Sequence, residues 1–176
     1  VLATADEATM NKAIEQKAID AASRKTFVRN TLVLVQPKDS KMRVKNLQDL
    51  TQEKIDRIAM GNPASVPAGN YAKAALEKQG LFASIQPKLV YSQNVRQALD
   101  YVTRGEVDAG FVYRTDAILQ ADKLNIVATV PTTTPVSYPI GIVSNSKHQA
   151  EAKRFVDYIL SAQGQTVLKK YGFSKP

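Results

Sequence analysis

Two short segments carry the chemistry most readily written into this sequence: Val66-Pro67-Ala68-Gly69 and Ser92-Gln93-Asn94-Val95-Arg96. Each lies between a short apolar run and a helical pattern. The first N–H groups of a helix have no partner inside it, and they sit at the positive end of the helix dipole. Two such starts aimed at one cleft hold an anion without any catalytic side chain. Ala68 is the first candidate, because a small residue there, next to Gly69, lets a ligand approach the backbone. Val95 is the second, with its N–H at the helix mouth and its side chain turned to the core. Both segments also have a plainer reading: Pro67 is a common first helical residue, and Ser92 or Asn94 is an ordinary cap. Tyr113 ends an apolar strand, where its phenol either donates to an anion or borders the core as an amphipathic aromatic.

Other chemistries find little to work with. Glu106, Asp108 and Asp116 have no fixed separation, and no nucleophile–base set accompanies them. The single His148 and the absence of Cys exclude a His-rich site, thiolate metal ligation and disulfides. The net charge of +8 attracts anions. Its Lys and Arg residues are scattered, however, with no block longer than Lys169-Lys170, which is not the concentrated face of a nucleic-acid binder. No run approaches the roughly 20 apolar residues of a membrane-spanning helix.

Short strands alternating with helices must position these residues. Strands are expected at Leu2-Ala3, Thr31–Val35, Arg57–Gly61, Leu89–Tyr91, Ala109–Tyr113, Ile126–Val130 and Tyr138–Val143. Thr4 or Asp6 caps a first helix that carries Met10, Ile14 and Ala18, and Asn46 caps a short one with Leu47 and Leu50. Longer helices run from Pro67 to a stop at Gly80 and from Val95 to Gly105, then from about Gln149 to Leu160 and from Ala162 to Lys170. This order predicts an α/β fold of mostly parallel sheets with helices on both faces. Ligands on such sheets bind outside the carboxyl ends of the strands, where both marked turns fall.

Taken together, Asn62-Pro63, Val66 to Ala72, Asn94 to Leu99, Asp108 to Ala117 and Tyr171-Gly172-Phe173 resemble the periplasmic molybdate-binding proteins of ABC transporters. Tyr138-Pro139-Ile140 and Ser161 to Gly164 fit the same pattern, and the match extends over essentially the whole chain. The resemblance implies a periplasmic binding protein-like (type II) fold of two lobes. Residues 1–35 and 136–176 would form part of lobe 1 and residues 36–135 lobe 2. It implies that Ala68 and Val95 give backbone N–H donors, and Tyr113 its hydroxyl, to the oxygens of molybdate or tungstate. No cofactor or protein-bound metal is implied. The partners would be the ion and an inner-membrane permease, the station the periplasm, and the lobes would close by a hinge motion.

The chain departs from the family pattern at its start. Val1-Leu2-Ala3-Thr4 reads as the inside of a strand, so the chain is expected to begin within a fold, with no signal peptide. Family members carry earlier strand–helix units, whose hydroxyl residues complete the anion cage. An incomplete first lobe is expected to expose apolar surface, and self-association would follow. The alternative reading is the effector-sensing part of a transcription regulator with a similar two-lobed shape.

Overall fold

The computed structural model describes residues 1–176. Contacts divide the chain into two units: Val1–Asn30 with Pro135–Pro176, and Thr31–Thr134. The first unit opens with strand β1 (Leu2–Ala3), helix α1 (Glu7–Glu15) and strand β2 (Lys25–Asn30). The second unit runs through β3 (Leu32–Pro37), β4 (Ile58–Gly61), α2 (Pro67–Lys78), α3 (Phe82–Ile85), β5 (Leu89–Ser92), α4 (Val95–Thr103), β6 (Ala109–Tyr113), α5 (Arg114–Ile118) and β7 (Leu124–Thr129). The chain then returns to the first unit for β8 (Val136–Gly141), α6 (Gln149–Leu160) and α7 (Ala162–Lys170).

In the second unit a five-stranded sheet has the order β5-β4-β6-β3-β7. Its inner strands β4, β6 and β3 are buried on both faces, so their successive residues serve opposite cores. Leu32 and Leu34, Ile58 and Met60, and Ala109 and Phe111 join one cluster with Ala72 and Leu76 of α2 and Ile85 of α3. Val33 and Val35, Ala59 and Val112 join the other, with Ala98, Leu99 and Val102 of α4 and Ala117 of α5. At the end of β3 the buried Gln36 acts as a staple for the loop that follows. Its side-chain amide donates to Met42 O at 2.9 Å and Asp108 O at 3.2 Å, and its carbonyl accepts from Val44 N at 3.1 Å.

In the first unit β8 lies between β1 and β2, antiparallel to both. Ile140 and Ile142 meet Ala152 and Val156 of α6. Gln165 of α7 ties that helix down by donating to Phe27 O at 2.8 Å and Ile159 O at 3.0 Å.

The α/β class stands, but the sheets are mixed rather than mostly parallel. Only β4 pairs in parallel, with β5 and β6. β3 runs antiparallel to β6 and β7, because β3 and β7 are where the chain enters and leaves this unit. For the same reason residues 31–35 belong to the second unit, not to the first as the sequence suggested. Helix α1 stops at Glu15, Lys17 takes a left-handed φ of 60°, and the buried residue beyond it is Ile19 rather than Ala18.

Candidate functional site

The three candidate residues all lie in the second unit, at one edge of its sheet. β5, β4 and β6 are parallel neighbours, with Gly61 opposite Ser92 and Ala59 opposite Gly110. Their carboxyl ends therefore fall side by side, and each leads within a few residues into a helix start. Ala68 lies in the first turn of α2 after β4, Val95 opens α4 after β5, and Tyr113 is the last residue of β6.

The two long helices begin differently. Asn94 caps α4 with its side chain, which accepts from Gln97 N at 2.8 Å, while Gln97 reaches back to Gln93 N at 2.7 Å. This reciprocal arrangement is close to a capping box. The Ser92 hydroxyl is buried and donates to Asn94 O at 2.9 Å, so Asn94 and not Ser92 is the cap. At α2 the N-cap position is Val66, which has no side chain to offer, and Pro67 follows it. The N–H of Ala68 donates to no protein acceptor, although Ala68 is 1% exposed. Buried amides without a partner are rare in folded proteins. The N–H of Val95 also lacks a protein acceptor, because the Asn94 side chain serves Gln97.

The approach of α2 to the sheet depends on a glycine. A Cβ on Gly69 would lie 1.8 Å from Gly61 O. No side chain fits there, so the start of α2 rests directly on the end of β4. Tyr113 is half-buried against the larger core cluster.

Asp116 and Arg96 join two of these helix starts, which sequence reasoning had not paired. The carboxylate of Asp116 in α5 stands 3.9 Å from the guanidinium of Arg96, the residue after Val95. Burial pushes the Asp116 carboxyl above its usual 3.8, opposed by Arg96 and by a backbone hydrogen bond at Tyr113. A raised folded-state value means that the neutral acid is the form the fold prefers. The stability contributed by Asp116 is thus fully present below 3.8 and lost as pH climbs through the raised value. We expect Asp116→Asn to raise Tm more at neutral pH than below pH 3.8. Calorimetric scans at the two pH values check this; an equal change at both would contradict it.

The remaining acidic residues are kept apart. Asp108 precedes β6 while Asp116 follows it, so the length of the strand separates them. The Asp108 carboxylate accepts from the backbone N–H groups of Asp56 and Arg57, at 2.8 and 3.0 Å, and so fixes the entry to β4. Glu106 is exposed in the turn beyond α4. His148 is exposed before α6, with Nδ1 4.0 Å from Glu151.

Residues 1–174 match the family model described as bacterial extracellular solute-binding protein. Over 173 residues the chain is 41% identical to a Bacillus subtilis lipoprotein assigned as the substrate-binding component of an ABC transporter, covering 97% of this chain and 65% of that protein. It is 38% identical over 177 residues to the molybdate-binding protein ModA of Escherichia coli, covering 97% of this chain and 68% of that one. A solved substrate-binding domain from Clostridium difficile, assigned to a molybdenum ABC transporter, superposes with a TM-score of 0.89 at 34% identity, over 99% of this chain and 76% of that chain. The chain thus spans about two thirds of the length of these curated relatives. The regulator alternative draws no support from them.

Proposed function

We propose, proceeding from the fact that this chain belongs to the family of bacterial extracellular solute-binding proteins, that it captures molybdate or tungstate and presents it to an ABC transporter. The family is no enzyme class, and in this reading the chain transports the ion unchanged. The observation that carries the reading is the buried, unpartnered N–H of Ala68 at the same sheet edge as the N–H of Val95 and the side chain of Tyr113. Relatives named as molybdate-binding support the choice of ion. So does the chemistry of the donors: amide N–H groups only donate, and a fully deprotonated tetrahedral oxyanion only accepts. Phosphate near neutral pH carries a proton that asks for an acceptor.

The family's extracellular description supports a station outside the cytoplasm, and the periplasm and an inner-membrane permease are the finer reading. Self-association belongs to the same reading. Phe155, Tyr158, Val167 and Tyr171 stand exposed on α6, α7 and the residue after α7, which gives the first unit apolar surface for a second copy.

Magnitudes bound the affinity of this chain. A hydrogen bond to a charged group contributes about 1.5–3 kcal/mol. Two amides and one hydroxyl give roughly 5–9 kcal/mol, against association costs that begin near 4 kcal/mol. Micromolar affinity requires about 8 kcal/mol net, so binding by these three donors alone falls short of it. The test is an amide-resolved NMR titration with molybdate. Shifts concentrated at Ala68, Gly69, Val95 and Arg96, weaker with phosphate and reduced by Tyr113→Phe, are expected. Equal responses to phosphate would end the claim of specificity, and silence at residues 68 and 95 would end the site.

A further inference from the structure

The carboxylate of Asp116 is at odds with the site it stands beside. Amide N–H groups and a phenol hydroxyl suit an anion, whereas Asp116 brings a negative charge to the same sheet edge. It is the third residue of α5, which begins directly after Tyr113. Its carboxylate accepts a backbone hydrogen bond at Tyr113 and stands 3.9 Å from the guanidinium of Arg96, the neighbour of Val95. It is therefore tied to the backbone beside two of the three candidate donors. Its side chain is 16% exposed, against 57% for Arg96, so water screens the carboxylate far less than its partner.

Helix capping and ion pairing do not explain the choice of residue. A side chain at the third position that returns to the residue before the helix steadies a helix start, and Asn would do so without a charge. An ion pair at 3.9 Å with an exposed partner contributes little. Burial outweighs both, pushing the carboxyl above its usual 3.8 against Arg96 and the hydrogen bond. The charge is thus a cost to the fold, and such costs collect at functional sites.

The surroundings leave that charge incompletely compensated. Helix α5 packs against β3, β6, β7 and α4. Strands β3 and β7 bring no charged residue, and β6 brings only the Tyr113 phenol. Helix α4 brings Arg96 and, a turn further on, Asp100 and Tyr101, while α5 itself adds the exposed Arg114. Arg96 is the cation that acts on the carboxylate. An oxyanion seated at Val95 and Tyr113 has Asp116 for a neighbour, and like charges in a half-buried place repel.

We propose that Asp116 is an affinity brake on the oxyanion site: its carboxylate opposes the charge of the bound ion, so that directed hydrogen bonds rather than excess positive charge hold the ion and its release stays easy. The brake presupposes the oxyanion reading of Val95 and Tyr113. Its signature is that the opposition grows with the charge of the ligand, whereas a displaced donor weakens binding whatever that charge.

The test is an amide-resolved NMR titration of this chain and of Asp116→Asn with two tetrahedral oxyanions, molybdate with two charges and perrhenate with one. Asn keeps an acceptor for the backbone at Tyr113 and removes the charge. Asp116→Asn should bind molybdate at least about fivefold more tightly, with a smaller gain for perrhenate, and the molybdate gain should shrink at high salt. Asp116→Glu, which keeps the charge, should show no such gain. Unchanged or weaker molybdate binding by Asp116→Asn overturns the proposal. So do equal gains for the two anions, a gain indifferent to salt, or the same gain in Asp116→Glu. Where perrhenate binds too weakly to titrate, the molybdate gain and its salt dependence decide. If the unmodified chain shows no molybdate shifts at residues 68 and 95, the oxyanion reading fails and the brake falls with it. If those shifts appear and Asp116→Asn gains nothing, the site stands and the brake alone is refuted.

Discussion

Replacing Gly69 by alanine should destabilise the second unit by about 3 kcal/mol or more. The added methyl would fall 1.8 Å from Gly61 O and 2.5 Å from Gly61 C. Both obstacles are backbone atoms of the last residue of β4, paired in parallel with Ser92, so no rotamer change relieves the clash. Either α2 lifts from the end of β4 or β4 shifts against β5 and β6. Ala72, Ala75 and Leu76 would then lose their packing on the sheet. At 2–4 °C per kcal/mol the melting temperature should fall by roughly ten degrees. Gly80→Ala is the matched control. Gly80 has a left-handed φ of 69° but nothing within 4 Å of the new methyl, so only the conformational term of about 1–2 kcal/mol applies. Thermal unfolding followed by circular dichroism should separate the two variants clearly. Equal losses would mean that the contact between α2 and β4 is looser than described.

The second large effect concerns binding, and it isolates one atom. Val95→Pro removes the amide hydrogen of the first residue of α4 and almost nothing else from the backbone. Proline is favoured at that helical position. The residue before it must be extended, and Asn94 already is, at φ −160° and ψ 167°. The helix and its Asn94 cap should survive. If that N–H donates to the oxyanion, its loss removes about 1.5–3 kcal/mol, a tenfold to hundredfold weakening for molybdate. Val95→Ala controls for the side chain, which packs between the two core clusters, because it keeps the donor. Affinities from NMR titration should fall for proline and hold for alanine. If both variants bind alike, residue 95 gives no hydrogen bond.

Much of this arrangement could be read in the residues. Asn94, Pro67, Gly80 and Gly105 punctuate α2 and α4 as local chemistry requires, and α6 and α7 carry their boundaries in caps and apolar spacing. Local signals failed where the fold overrides alternation. β2 was not anticipated, because its register shifts between Thr26 and Val28 and breaks the two-residue rhythm. The four residues of α3 and the five of α5 are too few to display a helical period. Strand direction is a long-range property: nothing in Leu32 to Val35 says that β6 and β7 will flank it in reverse. The candidate site was legible as three strand-to-helix junctions, since each junction is local. The Arg96–Asp116 pair was not, because the two residues are brought together only by adjacent helix starts.

The order of the strands bears on how the chain is made. β1 and β2 are not paired with each other; both hydrogen-bond to β8, which follows Thr134 in the chain. The Thr31–Thr134 unit, with every strand of its own sheet, is therefore complete in sequence before β8 follows to join β1 and β2. The sheet of the first unit can close only after the second unit has been made, so its assembly is the later of the two.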